Sequence, residues 1–384
     1  MDGADFLVIG AGVAGLSAAA RLARHGRTIV LEAEEAVGYH SSGRSATFSH
    51  YGIGNHIVRA LTFYSRAFFL EARELPLAHL STALFIATEE MLGSLDALET
   101  VMAEHVASIE RAGPAELARL FPPLRLGPGF VVAGLVDRFG LKLDSDALLQ
   151  AFAREVRDSG GSVLLGRRIA KVEATGSGWE VATDDGASWT APILVNAAGA
   201  WADQVAAAAG VEPLGLKPLR RTIIVVDAPA GADVRLWPFT KTVVDDFYIL
   251  PESGRLMASP VDEVADDPCD AQPDAYDIAL AASKVEQYTT LDVARIAHRW
   301  AGLRTFTADR VPVAGFDPRA DGFFWLAGQG GFGLQTAPAM AEAAEALALG
   351  RGWPEGLSRL RIDPSALRPE RLRKHSSHSG ETGC

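Results

Sequence analysis

Apolar positions in the first seventy residues switch between two periods. Phe6-Leu7-Val8-Ile9 is an unbroken apolar run, as expected of a parallel strand buried on both faces. Residues 16–25 are Ala-rich, with Leu16, Ala19, Leu22 and Ala23 on one face, so a helix follows directly. Residues 26–32 predict a second strand that ends at Glu32. Residues 55–72 place Ile57, Leu61, Tyr64, Phe68 and Phe69 at i, i+3/i+4 spacing, predicting a core-facing helix.

From residue 80 the pattern becomes β-rich. Strands are predicted at 84–87 and 130–136, with helices at 91–101 and 114–120 and a break at Pro122-Pro123. A helix over 144–157, capped by Asp144 or Ser145, precedes strands at 162–165, 169–175 and 179–183. Ile193-Leu194-Val195 then enters the small-residue turn Asn196 to Trp201, where the first domain resumes. Residues 216–226, 247–250 and 255–258 read as strands of a second excursion, with a helix over 277–288. Phe323 to Ala327 is a late apolar strand that enters Gly328 to Thr336, followed by a helix over 338–349. The polar stretch 368–384 reads as a frayed tail. The fold class is therefore α/β, or α+β in two domains. A Rossmann-like domain over 1–78, 143–215 and 301–367 is interrupted by a β-rich domain over 79–142 and 216–300.

The chemistry starts at Gly10, Gly12 and Gly15, a G-x-G-x-x-G between strand and helix. The first glycine permits the turn, the second lets a pyrophosphate approach, and the third lets the helix pack close. Val13 and Ala14 open that helix, whose free N–H groups suit phosphate. Glu32, with Ala33 beside it, stands where a carboxylate accepts hydrogen bonds from a ribose and repels a 2′-phosphate. The loop Gly38 to Ala46 offers Ser41, Ser42, Gly43, Arg44, Ser45 and Ala46. Small side chains there suit a flavin better than a nicotinamide. The turn at Ala197, Ala198, Gly199 and Trp201 permits close approach. The exposed N–H groups of the loop at Gly328, Gly330, Gly331 and Gly333 stabilise negative charge on a reduced ring.

With 384 residues, two domains are the natural expectation. A net charge of −12 argues against nucleic acid and anionic membranes. Cys269 and Cys384 are the two cysteines, too few for a disulfide framework or a Cys-rich metal site, so no metal and a reducing cytoplasm are expected. No apolar run is long enough to span a bilayer.

Together these motifs identify a resemblance to the D-amino acid oxidase-like FAD oxidoreductases, with the bacterial D-arginine dehydrogenase type as the nearest pattern. The likeness covers residues 2 to about 350. It is carried by Ala4 to Gly15, Gly38 to Ser41, Gly43 to Ala46, Val195 to Trp201, Trp300-Ala301-Gly302-Leu303-Arg304, Gln329 to Gly331, Gly333 and Gln335-Thr336. The resemblance implies a glutathione reductase/D-amino acid oxidase type of FAD domain, with the flavin at the domain junction. Ile169, Phe332, Leu334, Gln335 and Thr336 join the residues it places on the cofactor. It implies that Arg221 and Arg304 clamp a substrate carboxylate, that Tyr248 hydrogen-bonds it, and that the backbone near Gly330 receives the amino group. An Arg fork matches a carboxylate in a bidentate way.

This chain departs from the arginine-specific pattern at Phe48, Ile53 and Ala83, which replace a histidine, a tyrosine and a carboxylate. An unpaired guanidinium in an apolar pocket is costly. A pocket of Phe48, Ile53, Ala83, Leu84 and Phe85 is expected to favour neutral or hydrophobic D-amino acids over D-arginine, with His50 and Tyr51 as nearby polar groups. The implied reaction is hydride transfer from Cα to flavin N5, after amine deprotonation, giving an imine and then a 2-oxo acid and ammonia. The electron acceptor is oxygen, a quinone or a dye. No cysteine lies between Asp309 and Gly328, so non-covalent FAD is expected. Rival readings are a secondary-amine or imino-acid oxidase of sarcosine, glycine or proline type, a 2-hydroxy acid dehydrogenase, and a non-catalytic flavin-binding subunit.

Overall fold

The computed structural model describes residues 2–71, 76–106 and 109–373. The apolar run Phe6–Ile9 is a central strand of a six-stranded sheet. It pairs in parallel with Thr28–Leu31 on one side and Ile193–Asn196 on the other. Ser162–Leu164 and Phe323–Ala327 extend the sheet in parallel, and Val313–Phe316 closes one edge antiparallel. Every residue of Phe6–Ile9 and of Phe323–Ala327 is buried, because both sheet faces are covered. Helices Val13–Leu22, His56–Leu70, Ser145–Asp158 and Gly333–Ala348 pack on one face. Trp179 and Trp189, from a second, four-stranded sheet, cover the other.

The helix starts follow local chemistry. Asn55 accepts a hydrogen bond from the Val58 N–H (3.1 Å) and Asp144 from that of Ala147 (2.9 Å), each satisfying an orphan donor of a first turn. The helix expected over 55–72 ends at Leu70, and Ala72 lies outside the described residues. The late helix starts at Gly333 rather than at Pro338, which sits inside it. Pro338 brings no N–H to the helix, but the turn before it forms nonetheless. The glycine loop is correspondingly shorter, and the helix start belongs to it.

Nine strands form the other large sheet among the described residues. Lys217–Val226 and Ile296–Phe306 run antiparallel along most of their length. Beyond Lys217–Val226 come Arg255–Ser259, Tyr248–Glu252, Phe239–Thr242, Ala83–Thr88, Val131–Asp137 and Ile109–Ala112, in that order. One face packs against helix Ala275–Tyr288 through Ala281, Val285 and Tyr288. The strand Ile296–Phe306 reaches the glycine loop: Phe306 bridges Gln329, and the Gly330 N–H donates to the Thr305 carbonyl at 2.8 Å.

The stretch expected to fray is partly docked. Arg371 bonds Asp309 and the carbonyls of Val311 and Pro312, and Arg373 pairs with Asp317. Residues 374–384, with Cys384, lie outside the described residues. Among the described residues no helix is long and apolar enough to cross a membrane.

Candidate active site

The strand ends and the glycine turns meet at one cleft made of three adjoining cavities. The first, about 420 Å³, is lined by Gly10, Gly12, Glu32, Ala33, Ser41, Ser42, Ile169, Ala198 and Trp201. It merges at Gly12, Ser41, Ser42, Ala197 and Gly199 with a narrow middle cavity. Val13, Ala14, Ser45, Ala46, Gly328, Gly330, Gly331, Gly333 and Leu334 wall that middle part. At Ser45, Ala46, Arg221, Arg304 and Gly331 it opens into an outer cavity of about 570 Å³.

Sterics explain the glycines. Gly10 has φ +100°, and a Cβ there would lie 2.6 Å from the Ala197 carbonyl oxygen. A Cβ on Gly15 would lie 1.9 Å from the Gly10 carbonyl oxygen, so this glycine sets helix-to-strand packing and does not line the cleft. Gly43 also stays off the cleft and donates its N–H to the Gly38 carbonyl (2.8 Å), closing the loop. Thr336 is buried inside the late helix with its hydroxyl donated to the Phe332 carbonyl. Arg44 borders the cleft, but its guanidinium turns to Asp270 and to the carbonyls of Ala271 and Ala301.

The Glu32 carboxylate holds the turn itself. Its oxygens accept the N–H groups of Ala11 at 2.6 Å and Glu34 at 3.0 Å, leaving further lone pairs toward the cavity. Neither the helix starting at Val13 nor that at Gly333 has a side chain of its own N-cap residue on its first turn. The Val13 N–H donates to the Ser42 hydroxyl at 3.0 Å, and the positive dipole end of each helix faces the cleft, where it suits an anion. Buried polar atoms also wait for a partner. Both amide atoms of the Gln329 side chain, in the middle cavity, and the Tyr248 hydroxyl, in the outer one, have none among the described residues. A long, polar-ended cofactor with phosphates in its middle fits this donor set.

Arg221 and Arg304 come together through strand register. Arg221 lies opposite Gly302, and Leu219 opposite Arg304, so the two arginines are diagonal neighbours on one sheet face, roughly 7–8 Å apart along the backbone. Arg221 is buried, and its Nε donates to the Asp262 carbonyl at 2.6 Å. Burial, and then the charge of Arg304, hold its pKa down to about 10. Arg304 is half-buried and has no hydrogen-bond or ion-pair partner among the described residues. Two cations with one unpartnered fork form an anion site.

His50 is buried in the wall of the outer cavity. Its Nδ1 accepts the Gly52 N–H at 3.1 Å, which places the proton of the neutral ring on Nε2. Burial, with Lys241 second, pushes its pKa well below 6.5. The Gln335 side chain accepts the His50 backbone N–H and donates to the Thr62 hydroxyl.

The expected apolar pocket is only partly there. Phe48, Ile53 and Phe332 line the outer cavity. Ala83, Leu84 and Phe85 do not. They are wholly buried, with Phe85 edge-on to the His50 ring and Leu84 in the core on the other sheet face. Both faces of that apolar strand are covered, so the family resemblance that put it beside the substrate did not tell cavity from core. Sequence reasoning missed Phe239, stacked on Phe48 at 4.5 Å, and also Lys241, Asp245 and Gln329. The only signal was a lysine within a short strand, Phe239–Thr242, whose residues are all buried.

The family model for FAD dependent oxidoreductases (DAO) matches residues 5–347. Glycine oxidase of Bacillus licheniformis is 26% identical over 377 residues, covering 90% of this chain and 93% of that protein. The uncharacterized oxidoreductase YurR of Bacillus subtilis is 26% identical over 259 residues, and the match spans 65% of each chain. Among solved structures, glycine oxidase from Geobacillus kaustophilus superposes with a TM-score of 0.79 at 20% identity, covering 94% of this chain and 99% of that one. L-alpha-glycerophosphate oxidase from Mycoplasma pneumoniae, with FAD bound, reaches 0.81 at 18% identity, covering 92% and 96%. At such identities the superpositions speak for the fold.

Proposed function

The chain belongs to the DAO family of FAD dependent oxidoreductases, and from that premise we propose that it oxidises the Cα–N bond of a carboxylate-bearing amine. The first candidate is a D-amino acid whose side chain carries no positive charge. The unpartnered Arg304 fork beside buried Arg221 carries this reading. We assign the segments 1–78, 143–215 and 301–367 to cofactor binding and 79–142 and 216–300 to the substrate side. The two-cysteine composition supports a cytoplasmic setting.

Residues from Gly10 to Ala46, with Ala197 to Trp201 and Gly328 to Leu334, would hold FAD. When bound, FAD supplies the two-electron acceptor. The chain's own residues do the rest. Arg304 and Arg221 receive the substrate carboxylate, and the Tyr248 hydroxyl gains its missing partner. Gln329 and the Gly330–Gly331 backbone border the place left for the amine. His50 is no base there, because its Nδ1 lone pair is already engaged and its Nε2 carries the proton. The amine must therefore arrive unprotonated, its proton lost to water.

The acids near the outer cavity already have cationic partners. Asp245 pairs with Lys241, Glu263 with Arg310, and Asp309 with Arg371. Among the described residues a substrate guanidinium finds no free carboxylate there, which supports exclusion of D-arginine. The relatives named above are glycine oxidases and other oxidoreductases, and none of them is named a D-arginine dehydrogenase. A glycine or N-alkyl glycine substrate is the second reading, supported by the nearly full-length likeness to a glycine oxidase. Anaerobic flavin bleaching with D-amino acids, N-methyl amino acids and 2-hydroxy acids, followed by air, separates the readings and reports the acceptor. Protein that binds no FAD, or whose flavin none of these acids bleaches, would refute the proposal.

A further inference from the structure

Lys241 is a cation in the outer cavity that the function proposed above leaves without a task. It lies on strand Phe239–Thr242, directly opposite Tyr248, so both side chains leave the same sheet face. Both line the outer cavity. Across the sheet Lys241 is level with Ile223, two residues along from Arg221, and three strands from it, about 14 Å at the backbone. The carboxylate clamp and the lysine thus stand at opposite ends of one cavity.

The ammonium is nearly enclosed, with 4% of the side chain exposed, and Asp245 is its one partner among the described residues. Asp245 itself is 53% exposed, in the turn that follows. An ammonium has three donors, so two are unused. A buried cation whose single counter-charge stands in water is poorly compensated. The rings around it, Phe48, Phe239 and the neutral His50, offer no second anion. Glu263 and Asp309 are paired elsewhere.

We propose that Lys241 recognises a second carboxylate at the far end of the substrate, which makes an amino acid with a short acidic side chain the preferred substrate. This inference rests on the function proposed above. The α-carboxylate sits at Arg221 and Arg304, and the distal carboxylate takes the free donors of Lys241.

The test compares aspartate and glutamate, as both enantiomers, with glutamine and norvaline in the holoenzyme. The proteins are wild type, Lys241→Met and Lys241→Arg. One charge-assisted contact predicts a kcat/KM advantage of about tenfold or more for the better acidic substrate over its neutral analogue, mostly in KM. That ratio should fall toward one in Lys241→Met and survive in part in Lys241→Arg. Glutarate should also perturb the flavin absorbance at lower concentration than butyrate, with no turnover involved. Neutral substrates outrunning acidic ones in the wild type would overturn the inference. So would a ratio that survives in Lys241→Met protein that still binds FAD and butyrate. In both cases the oxidase reading stands, whereas a flavin that no amino acid bleaches removes both.

Discussion

Arg304 adds its charge to the burial of Arg221, and together they bring the Arg221 guanidinium down to about pKa 10. The free site therefore holds two cations that repel each other. Because the folded value lies below the ordinary 12.5, the penalty acts at every pH below about 10 and fades as pH rises from there toward 12.5. A bound carboxylate removes it. Saturating benzoate at pH 8 should raise Tm by a few degrees, and clearly less in Arg304→Met. In steady-state kinetics Arg304→Met should lower kcat/KM for the best carboxylated substrate by about 100-fold or more, since two charge-assisted bonds are lost. Unchanged turnover of every acid would rule out the clamp.

Gly331 guards the Arg304 rotamer. A Cβ placed there would lie 2.8 Å from Nη1 of Arg304, and the colliding atom is the end of a flexible side chain. Gly331→Ala should fold and bind FAD, yet push the fork aside and raise KM for the carboxylate substrate by about tenfold, the scale of one weakened charged hydrogen bond. Gly330→Ala should behave worse. Its φ is +55°, and its Cβ would meet the Phe306 ring at 2.5 Å, so lost stability is expected there, seen as a lower Tm of the apoprotein.

His50 stays neutral through the working range, because burial first and Lys241 second hold its pKa well below 6.5. kcat/KM should therefore rise with pH along one limb governed by the substrate amine. His50→Gln should change the height of that profile and not its shape. A second limb near pH 6 that vanishes in the variant would show that His50 titrates in catalysis. The same depression makes the folded protein lose stability as pH falls below about 6.5, where the unfolded histidine takes up a proton.

The cofactor end makes its own prediction. Glu32 braces the glycine turn through the Ala11 and Glu34 N–H groups and borders the cavity. Glu32→Ala should weaken FAD reconstitution by about 10- to 100-fold, the scale of a lost charged acceptor, read as quenching of flavin fluorescence on titrating the apoprotein. In the wild type, heat or acid should release FAD into the supernatant. Flavin that stays with the precipitated chain would show a covalent link.

Much of the cofactor half was legible in the sequence, because its signals are local. Phe6–Ile9 followed by Gly10, Gly12 and Gly15 states a strand, a turn and a helix within ten residues, and Gly10 and Gly15 each answer a backbone clash that the structure shows. The outer cavity was less legible. The approach of Arg221 to Arg304 depends on a pairing register between residues more than 80 positions apart, which only the family motifs suggested. Phe85 looked like a pocket residue because the family resemblance puts its strand beside the substrate, yet both faces of that apolar strand are buried. Lys241 sits in a four-residue strand with two threonines, a composition that reads as surface. Arg371 and Arg373 were hidden in the average polarity of the chain end, although they find Asp309 and Asp317, in the loops before and after Val313–Phe316.

The Thr305–Gly330 hydrogen bond and the Phe306–Gln329 bridge carry a mechanical consequence. Arg304 is one residue from this seam, so its guanidinium fork and the glycine loop that walls the middle cavity are stitched to a single ribbon. A displacement of either one is transmitted to the other. The spacing between the Arg304 fork and that wall is therefore fixed by backbone hydrogen bonds, and under the proposal above any variation in substrate length falls at the lysine end.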